Sequence, residues 1–295
     1  MAISTKLLRM QLSIFKPFVN GCTIEAARTT QDKLGELMAH THRNKVLYSP
    51  QIFHHFVGEW VVPKSQRGDS VLLYLHGGGY VAGDLDYAKG FGTILAAKYG
   101  IRVFCVAYRL APEHRYPAAL EDAMEAYEYL LSCGYENSRI FLCGESAGGG
   151  LAYALCLKRK QAALPLPAGI VAISPWTDLT ASGASYETNQ DCDPTMTRER
   201  LAYYASLYAD DLRNPLVSPL FGELDHMPPS LIFVGGDEIM LDDAAGLHER
   251  LLAAESRSEL VVTPEMWHGY PLYGVPEAKK DFEKIAEFLG ALQDE

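Results

Sequence analysis

The stretch RIFLCGESAGGGLAYAL, from Arg139 to Leu155, decides how this chain folds. It begins with an apolar run typical of a buried strand and ends in small residues that lead into a helix. Glycines flank Ser146 between the two, because larger side chains would collide in so tight a turn. The stretch predicts a strained strand-to-helix turn that lifts the Ser146 hydroxyl above a sheet. The N–H groups that follow would face a developing oxyanion.

Strand and helix patterns alternate along the chain on both sides of this turn. The strand candidates are Ile52–Val62, Val71–Leu75, Arg102–Ala107, Arg139–Cys143, Gly169–Ser174, Leu231–Val234 and Glu259–Thr263. Helix patterns lie at Ala118–Ser132, Leu151–Gln161, Asp243–Ala254 and Glu277–Leu292. Strands separated by helices predict an α/β fold with a mainly parallel sheet covered on both faces.

One connection is far longer than a crossover between parallel strands needs. It runs from Ser174 to Leu231 and carries a helix pattern of its own. We expect this excursion, at about residues 180–215, to join about residues 1–50 in a cap over the active edge of the sheet. Residues 1–295 would then form a single α/β domain.

Composition excludes several classes of protein. The 295 residues carry a formal net charge of -11 and contain no run of basic residues that could bind along a phosphate backbone. We therefore expect no nucleic-acid partner. Lys6, Arg9 and Gln11 interrupt the N-terminal apolar stretch, which argues against a secretory signal and a membrane span. The six cysteines show no C-x-x-C spacing, so reduced thiols and a cytoplasmic location are the simplest interpretation.

A serine hydroxyl becomes a nucleophile only when a base takes its proton and an acid orients that base. On this architecture the three groups follow the order serine, acid, histidine, each at the carboxyl end of a strand. Asp237 follows the strand LIFV and is the expected acid, with Asp178 in SPWTDLT as the alternative. Two histidines follow Asp237, and His248 lies within a helix pattern, so His268 in EMWHGYP is the expected base.

A second glycine-rich segment, HGGGY from His76 to Tyr80, directly follows the strand pattern VLLYL. Its consecutive backbone N–H groups could hold a developing oxyanion, although an ordinary glycine turn would have the same composition. Neither glycine segment spells a dinucleotide-binding or phosphate-binding motif. No Cys/His cluster has the spacing of metal ligands, so we expect neither metal nor cofactor.

Six motifs together give the chain a family resemblance. HGGGY, YRLAPEHRYPAALED (Tyr108–Asp122), GESAGGG, SPWTDLT, GGDEIMLDD and WHGY follow one another as in the hormone-sensitive-lipase-like, or family IV, carboxylesterases, which this chain resembles along almost its whole length. The resemblance implies an α/β-hydrolase fold with an eight-stranded, mostly parallel sheet and a helical cap. It also implies hydrolysis of short-to-medium acyl esters without a cofactor.

The resemblance carries roles over to individual positions. It implies Ser146 as nucleophile, His268 as general base and acid, Asp237 as the orienting carboxylate, and the amides of Gly78, Gly79 and Ala147 as oxyanion donors. One position departs from the family pattern. Glu145 stands where the commonest pattern has Asp or Thr before the serine.

The resemblance leaves other outcomes open. The same machinery could cleave an amide or a lactone, and plant gibberellin receptors resemble this family but lack the working histidine, which is present here. We expect a small-molecule ester substrate with an acyl group from acetyl to hexanoyl, because no large lipid-binding surface is evident. Family members often pair through an exposed edge strand, so a homodimer also stays open.

Overall fold

The computed structural model describes residues 4–294, so the parts of our expectations that fall on residues 1–3 and 295 lie outside it. One eight-stranded sheet, in the order β1-β2-β4-β3-β5-β6-β7-β8, organises the chain. The strands are β1 (Val46–Ile52), β2 (Val57–Pro63), β3 (Val71–Leu75), β4 (Arg102–Ala107), β5 (Ile140–Glu145), β6 (Gly169–Ile173), β7 (Ser230–Gly235) and β8 (Ser258–Thr263). Strand β2 pairs antiparallel with β1 and β4, and the other pairings are parallel. The predicted α/β class with a mainly parallel sheet is confirmed.

Helices cover both faces of the sheet. They are α1 (Thr5–Gly21), α2 (Ile24–His40), α3 (Leu85–Tyr99), α4 (Ala118–Ser132), α5 (Ala147–Gln161), α6 (Ser185–Thr188), α7 (Arg198–Tyr208), α8 (Leu241–Ala253) and α9 (Lys279–Asp294). Along β3, Val71, Leu73 and Leu75 join the apolar cluster under α4, α5 and α8, whereas Leu72 and Tyr74 join the cluster under α3 and α9. The two-residue period of a strand thus divides the core into two layers.

One predicted strand is wrong in its extent. We expected Ile52–Val62 to be continuous, but the chain turns between β1 and β2 and pairs the two strands as a hairpin. The Phe53 amide donates to the Phe56 carbonyl at 3.0 Å, and the two rings stack with centroids 4.2 Å apart. Because this turn is built from aromatic residues instead of glycine or proline, its composition is typical of a strand.

Helix α1 is hydrogen-bonded to the loop around residues 193–195, which is distant from it in the sequence. Lys16 Nζ donates to the Asp193 carbonyl at 2.7 Å, and Asn20 donates to the Thr195 carbonyl at 2.9 Å. The assignment of residues 1–50 and 180–215 to a cap stays a prediction, although residues 46–50 belong to β1. No helix among residues 4–294 has the length and apolar character needed to cross a bilayer.

The outward face of α1 is apolar. Its exposed large side chains are Leu7, Met10, Ile14, Phe15, Phe18 and Val19. Sequence reasoning had found no sign of such a surface.

Two glycines let α2 lie directly against α3. A methyl group at Gly35 would overlap the Asp86 carbonyl oxygen, and one at Gly90 would overlap the backbone of Gly35. The two helix backbones can therefore approach as closely as they do only without side chains at these positions.

Replacing Gly35 tests this close packing. Gly35→Ala should lower the free energy of unfolding by about 1–3 kcal/mol, because the added methyl group forces the two helices apart. Gly290 lies in α9 with open space around its Cα, so Gly290→Ala should raise stability by up to about 1 kcal/mol through helix propensity. Urea unfolding of both variants measures the difference, and equal effects would contradict the packing argument.

Candidate active site

The backbone at Ser146 is strained as the sequence predicts. Its φ of 54° and ψ of -123° place a residue with a side chain in a region that favours glycine, between the end of β5 and the start of α5. A methyl group at Gly148 would overlap the Leu75 carbonyl oxygen, so the turn needs a small residue there. The Ser146 amide donates to the Ile173 carbonyl at 2.9 Å, which fixes the turn to the end of β6.

The loop after β3 lies beside this turn. Gly78 and Gly79 have φ values of 110° and 63°, and the Tyr204 ring from α7 packs against the Cα of Gly79. Among residues 4–294, the amides of Gly78, Gly79 and Ala147 donate no hydrogen bond. These three N–H groups are therefore free to bind an acceptor on a ligand.

The histidine expected as the base meets a different carboxylate from the one expected. His268 Nδ1 lies 3.5 Å from Oε2 of Glu238, and both side chains are buried. Asp237 instead points to α1, where its Oδ2 pairs with Arg9 Nη2 at 2.6 Å. We expected Asp237 to orient His268, and the structure corrects that expectation to Glu238.

Ser174, after β6, holds this arrangement together. Its hydroxyl donates to Glu238 Oε2 at 2.8 Å and accepts from the Gly269 amide at 3.0 Å, next to His268. Its own amide donates to the Phe233 carbonyl of β7 at 2.7 Å. Ser174 thus connects the loops that carry the acid and the histidine.

Sequence reasoning missed both Glu238 and Ser174. The available signal was their place at the end of a predicted strand or in the loop after one, at the edge where site residues gather on this architecture. Asp237 occupies the same loop as Glu238, and composition alone does not say which of two adjacent carboxylates turns inward. In the structure the Asp237 amide donates to the Met266 carbonyl at 3.0 Å, which fixes the loop against the segment that leads to His268, and Arg9 pairs with the Asp237 carboxylate.

The side chain of Asp178, the alternative acid, stabilises the turn that directly follows it in the sequence. One carboxylate oxygen accepts from the amide and hydroxyl of Thr180, and the other accepts from the amide and hydroxyl of Ser182. Four donors satisfy this side chain locally. Asp178 therefore holds the shape of the segment after β6.

Acidic groups dominate the electrostatics around His268. Burial alone would lower the pKa of the imidazole, but the close contact with Glu238 and its negative charge outweigh that effect and raise it. Asp193 and Glu145 raise the pKa of His268 further through their negative charges. The pKa of Glu238 is itself raised, because burial penalises its ionised form.

Three comparisons with known proteins agree with this geometry. A family model described as alpha/beta hydrolase fold matches residues 72–272. An acetyl-hydrolase from Streptomyces hygroscopicus is 39% identical over 239 residues, which make up 80% of this chain and 80% of that protein.

Two solved structures match nearly the whole chain. A crystal structure of an esterase from the bacterial hormone-sensitive lipase family has a TM-score of 0.90 at 36% identity, covering 99% of this chain and 100% of its own. A hormone-sensitive lipase from a metagenome library has a TM-score of 0.92 at 32% identity, covering 99% of each chain.

The pairing of His268 with Glu238 makes a prediction about titration. The imidazole pKa of His268, followed by NMR, should lie above its usual value of 6.5. Glu238→Gln should lower that pKa, because the variant keeps the shape of the side chain and removes its charge. The matched variant Asp237→Asn should change it less. A larger shift in Asp237→Asn than in Glu238→Gln would contradict the assignment.

Proposed function

The chain belongs to the hormone-sensitive-lipase-like carboxylesterases of the α/β-hydrolase superfamily, and on that premise we propose that Ser146, His268 and Glu238 carry out its reaction. The protein is a carboxylic ester hydrolase. The strained backbone at Ser146 carries the assignment of the nucleophile, because such a strand-to-helix turn exposes one hydroxyl at the edge of the sheet, and the glycine loop with its free amides lies beside it.

The first half of the reaction forms an acyl-enzyme. His268 takes the proton of Ser146 on Nε2, since its Nδ1 faces Glu238, and the serine oxygen attacks the ester carbonyl. The alcohol then leaves with that proton. The contact of 3.5 Å between Nδ1 and Glu238 is long for a hydrogen bond, and such contacts in free enzymes tighten when substrate binds.

The glycine loop stabilises the charge that develops on the carbonyl oxygen. We propose the amides of Gly78, Gly79 and Ala147 as its donors, because all three are free of other acceptors among residues 4–294. Each such donor contributes roughly 3 kcal/mol to transition-state stabilisation in comparable sites. Water then attacks the acyl-serine, and His268 repeats its role as base and acid.

We propose short acyl esters, from acetyl to hexanoyl, as preferred substrates. The name acetyl-hydrolase, borne by the relative from Streptomyces hygroscopicus, supports this choice. The Tyr204 ring against Gly79 supports it too, since it fills space directly beside the proposed donors. The apolar outer face of α1 favours longer or aggregated esters instead, so chain length has to be measured.

Three further proposals concern the architecture and setting of the enzyme. Among the described residues, about 4–45 and about 180–215 form the cap, a role that the contacts of Lys16 and Asn20 of α1 with residues 193–195 support. A cytoplasmic location is supported by six free cysteines. A homodimer through an edge strand would use β1 or β8, the two edges of the sheet, and light scattering distinguishes it from a monomer.

Substitution of the proposed site residues tests the mechanism. Ser146→Ala should abolish hydrolysis of p-nitrophenyl acetate and labelling by an organophosphonate. Glu238→Gln should lower kcat by about 10⁴, as removal of the orienting acid does in serine hydrolases. Asp237→Asn, the matched control, should stay within about tenfold, because it loses only a partly exposed ion pair.

Two results would overturn this mechanism. One is full turnover by folded Ser146→Ala. The other is a larger loss of kcat in Asp237→Asn than in Glu238→Gln.

A series of p-nitrophenyl esters from acetyl to decanoyl tests the substrate proposal. The value of kcat/KM should be highest between acetyl and hexanoyl and should fall for longer chains, because the depth of the acyl pocket sets the cutoff. A maximum at decanoyl, or a sharp rise in rate once the ester aggregates, would favour the apolar face of α1 as a substrate-contacting surface.

A further inference from the structure

Glu145 is a buried carboxyl group directly before the proposed nucleophile. Its Oε1 accepts a hydrogen bond from the Gly77 amide at 2.5 Å, and its Oε2 accepts one from the Tyr74 hydroxyl at 2.5 Å. The phenol of Tyr87 on α3 lies next to it. A buried carboxyl group costs free energy unless donors surround it, and here the donors come from the end of β3, the loop after it and helix α3.

The Gly77 contact couples the two loops that build the site. Gly77 immediately precedes Gly78 and Gly79, whose amides are the proposed oxyanion donors. A methyl group at Gly77 would lie 3.0 Å from Glu145 Oε1 and 3.0 Å from Ser146 Cβ. The Glu145 side chain therefore binds the glycine loop while its backbone leads into the nucleophile turn.

We propose that Glu145 is a positioning residue that fixes the glycine loop relative to Ser146 through its hydrogen bond with the Gly77 amide. The proposal rests on the function proposed above and deepens it. Glu145 touches neither the substrate nor the reacting atoms. It acts through the amides of Gly78 and Gly79 and through the electrostatic field at His268.

The side chains nearest to Glu145 are uncharged, and His268 lies within range of its charge. The groups that face it are the phenols of Tyr74 on β3, Tyr87 on α3 and Tyr108 after β4, and the thiols of Cys105 on β4 and Cys143 on β5. Burial raises the pKa of Glu145 to about 7, and the bonds from Tyr74 and Gly77 limit that rise by favouring the ionised form. The carboxyl group therefore becomes charged near neutral pH.

The charge of Glu145 also reaches the proposed base. Together with Glu238 and Asp193, which face His268 from the loop after β7 and from the loop that contacts α1, it raises the pKa of His268. Removing the charge should lower that pKa. The base would then become neutral at a lower pH, and the acid limb of kcat/KM would move to lower pH.

Two variants of Glu145 separate the effect of its hydrogen bonds on the position of the glycine loop from the effect of its charge on His268. Glu145→Gln keeps the length of the side chain but has one acceptor oxygen instead of two, so the Gly77 amide and the Tyr74 hydroxyl can no longer both donate to it, and the charge is lost. We expect kcat to fall by about 10- to 100-fold with KM little changed, because misplaced donors weaken transition-state binding. The acid limb should also move to lower pH. Glu145→Asp keeps the charge but is one methylene shorter, so kcat should fall while the acid limb stays.

Matched variants outside the site control for effects of stability. Asp243, in α8, is a buried carboxylate that accepts from the amides of Thr177 and Asp178 at 2.9 and 2.8 Å. Asp243→Asn should lower the melting temperature without moving the acid limb.

If Glu145→Gln does not fold, Tyr74→Phe removes one donor. Its kcat should fall severalfold, whereas Tyr127→Phe, which removes a buried phenol bonded to Asn137 at 2.9 Å, should leave kcat unchanged.

The outcomes separate this proposal from the proposed function. Suppose that Ser146→Ala loses activity but folded Glu145→Gln keeps either the wild-type kcat or the wild-type acid limb of kcat/KM. That result overturns the role of Glu145 and leaves the proposed function standing. Equal kcat values for Tyr74→Phe and Tyr127→Phe do the same. Full activity in Ser146→Ala overturns the proposed function itself.

Discussion

Glu238 and His268 meet in a part of the protein that water barely reaches, and the rest of the proposed site depends on their contact. Two buried ionisable groups 3.5 Å apart stabilise each other only if the surroundings fix both, and Ser174 does so with one hydroxyl that bonds both loops. Three carboxyl groups near His268 favour its protonated form. In the proposed mechanism this is the state that the ring must reach when it takes the serine proton.

The fold was largely predictable because parallel strands and covering helices leave strong patterns. Helix α4 has the bounds predicted from its periodicity, Ala118–Ser132, and the buried β3 reads as one continuous apolar run. Prediction failed at Phe53 and Phe56, where the hairpin turn is closed by stacked aromatic rings. Such residues are typical of strands, so the turn leaves no glycine or proline in the sequence to reveal it.

The candidate site was predictable in its order along the chain and not in the direction of one side chain. Glycines on both sides of Ser146 marked the strained turn, and His268 was the one histidine after the acid loop that lay outside a helix pattern. The choice between Asp237 and Glu238 needed a fact that local sequence does not contain. Arg9, on the first helix of the chain, pairs with Asp237 and leaves the inward position to Glu238. Contacts between residues so distant in sequence are set by tertiary packing.

A crystal structure of the enzyme inactivated by an organophosphonate would test the proposed site most directly. Our account predicts phosphorus bonded to Ser146 Oγ, with the phosphoryl oxygen about 3 Å from the amides of Gly78, Gly79 and Ala147. The Nδ1 atom of His268 should face Glu238. A phosphonate bonded to another residue, or a His268 ring turned toward Asp237, would contradict the account.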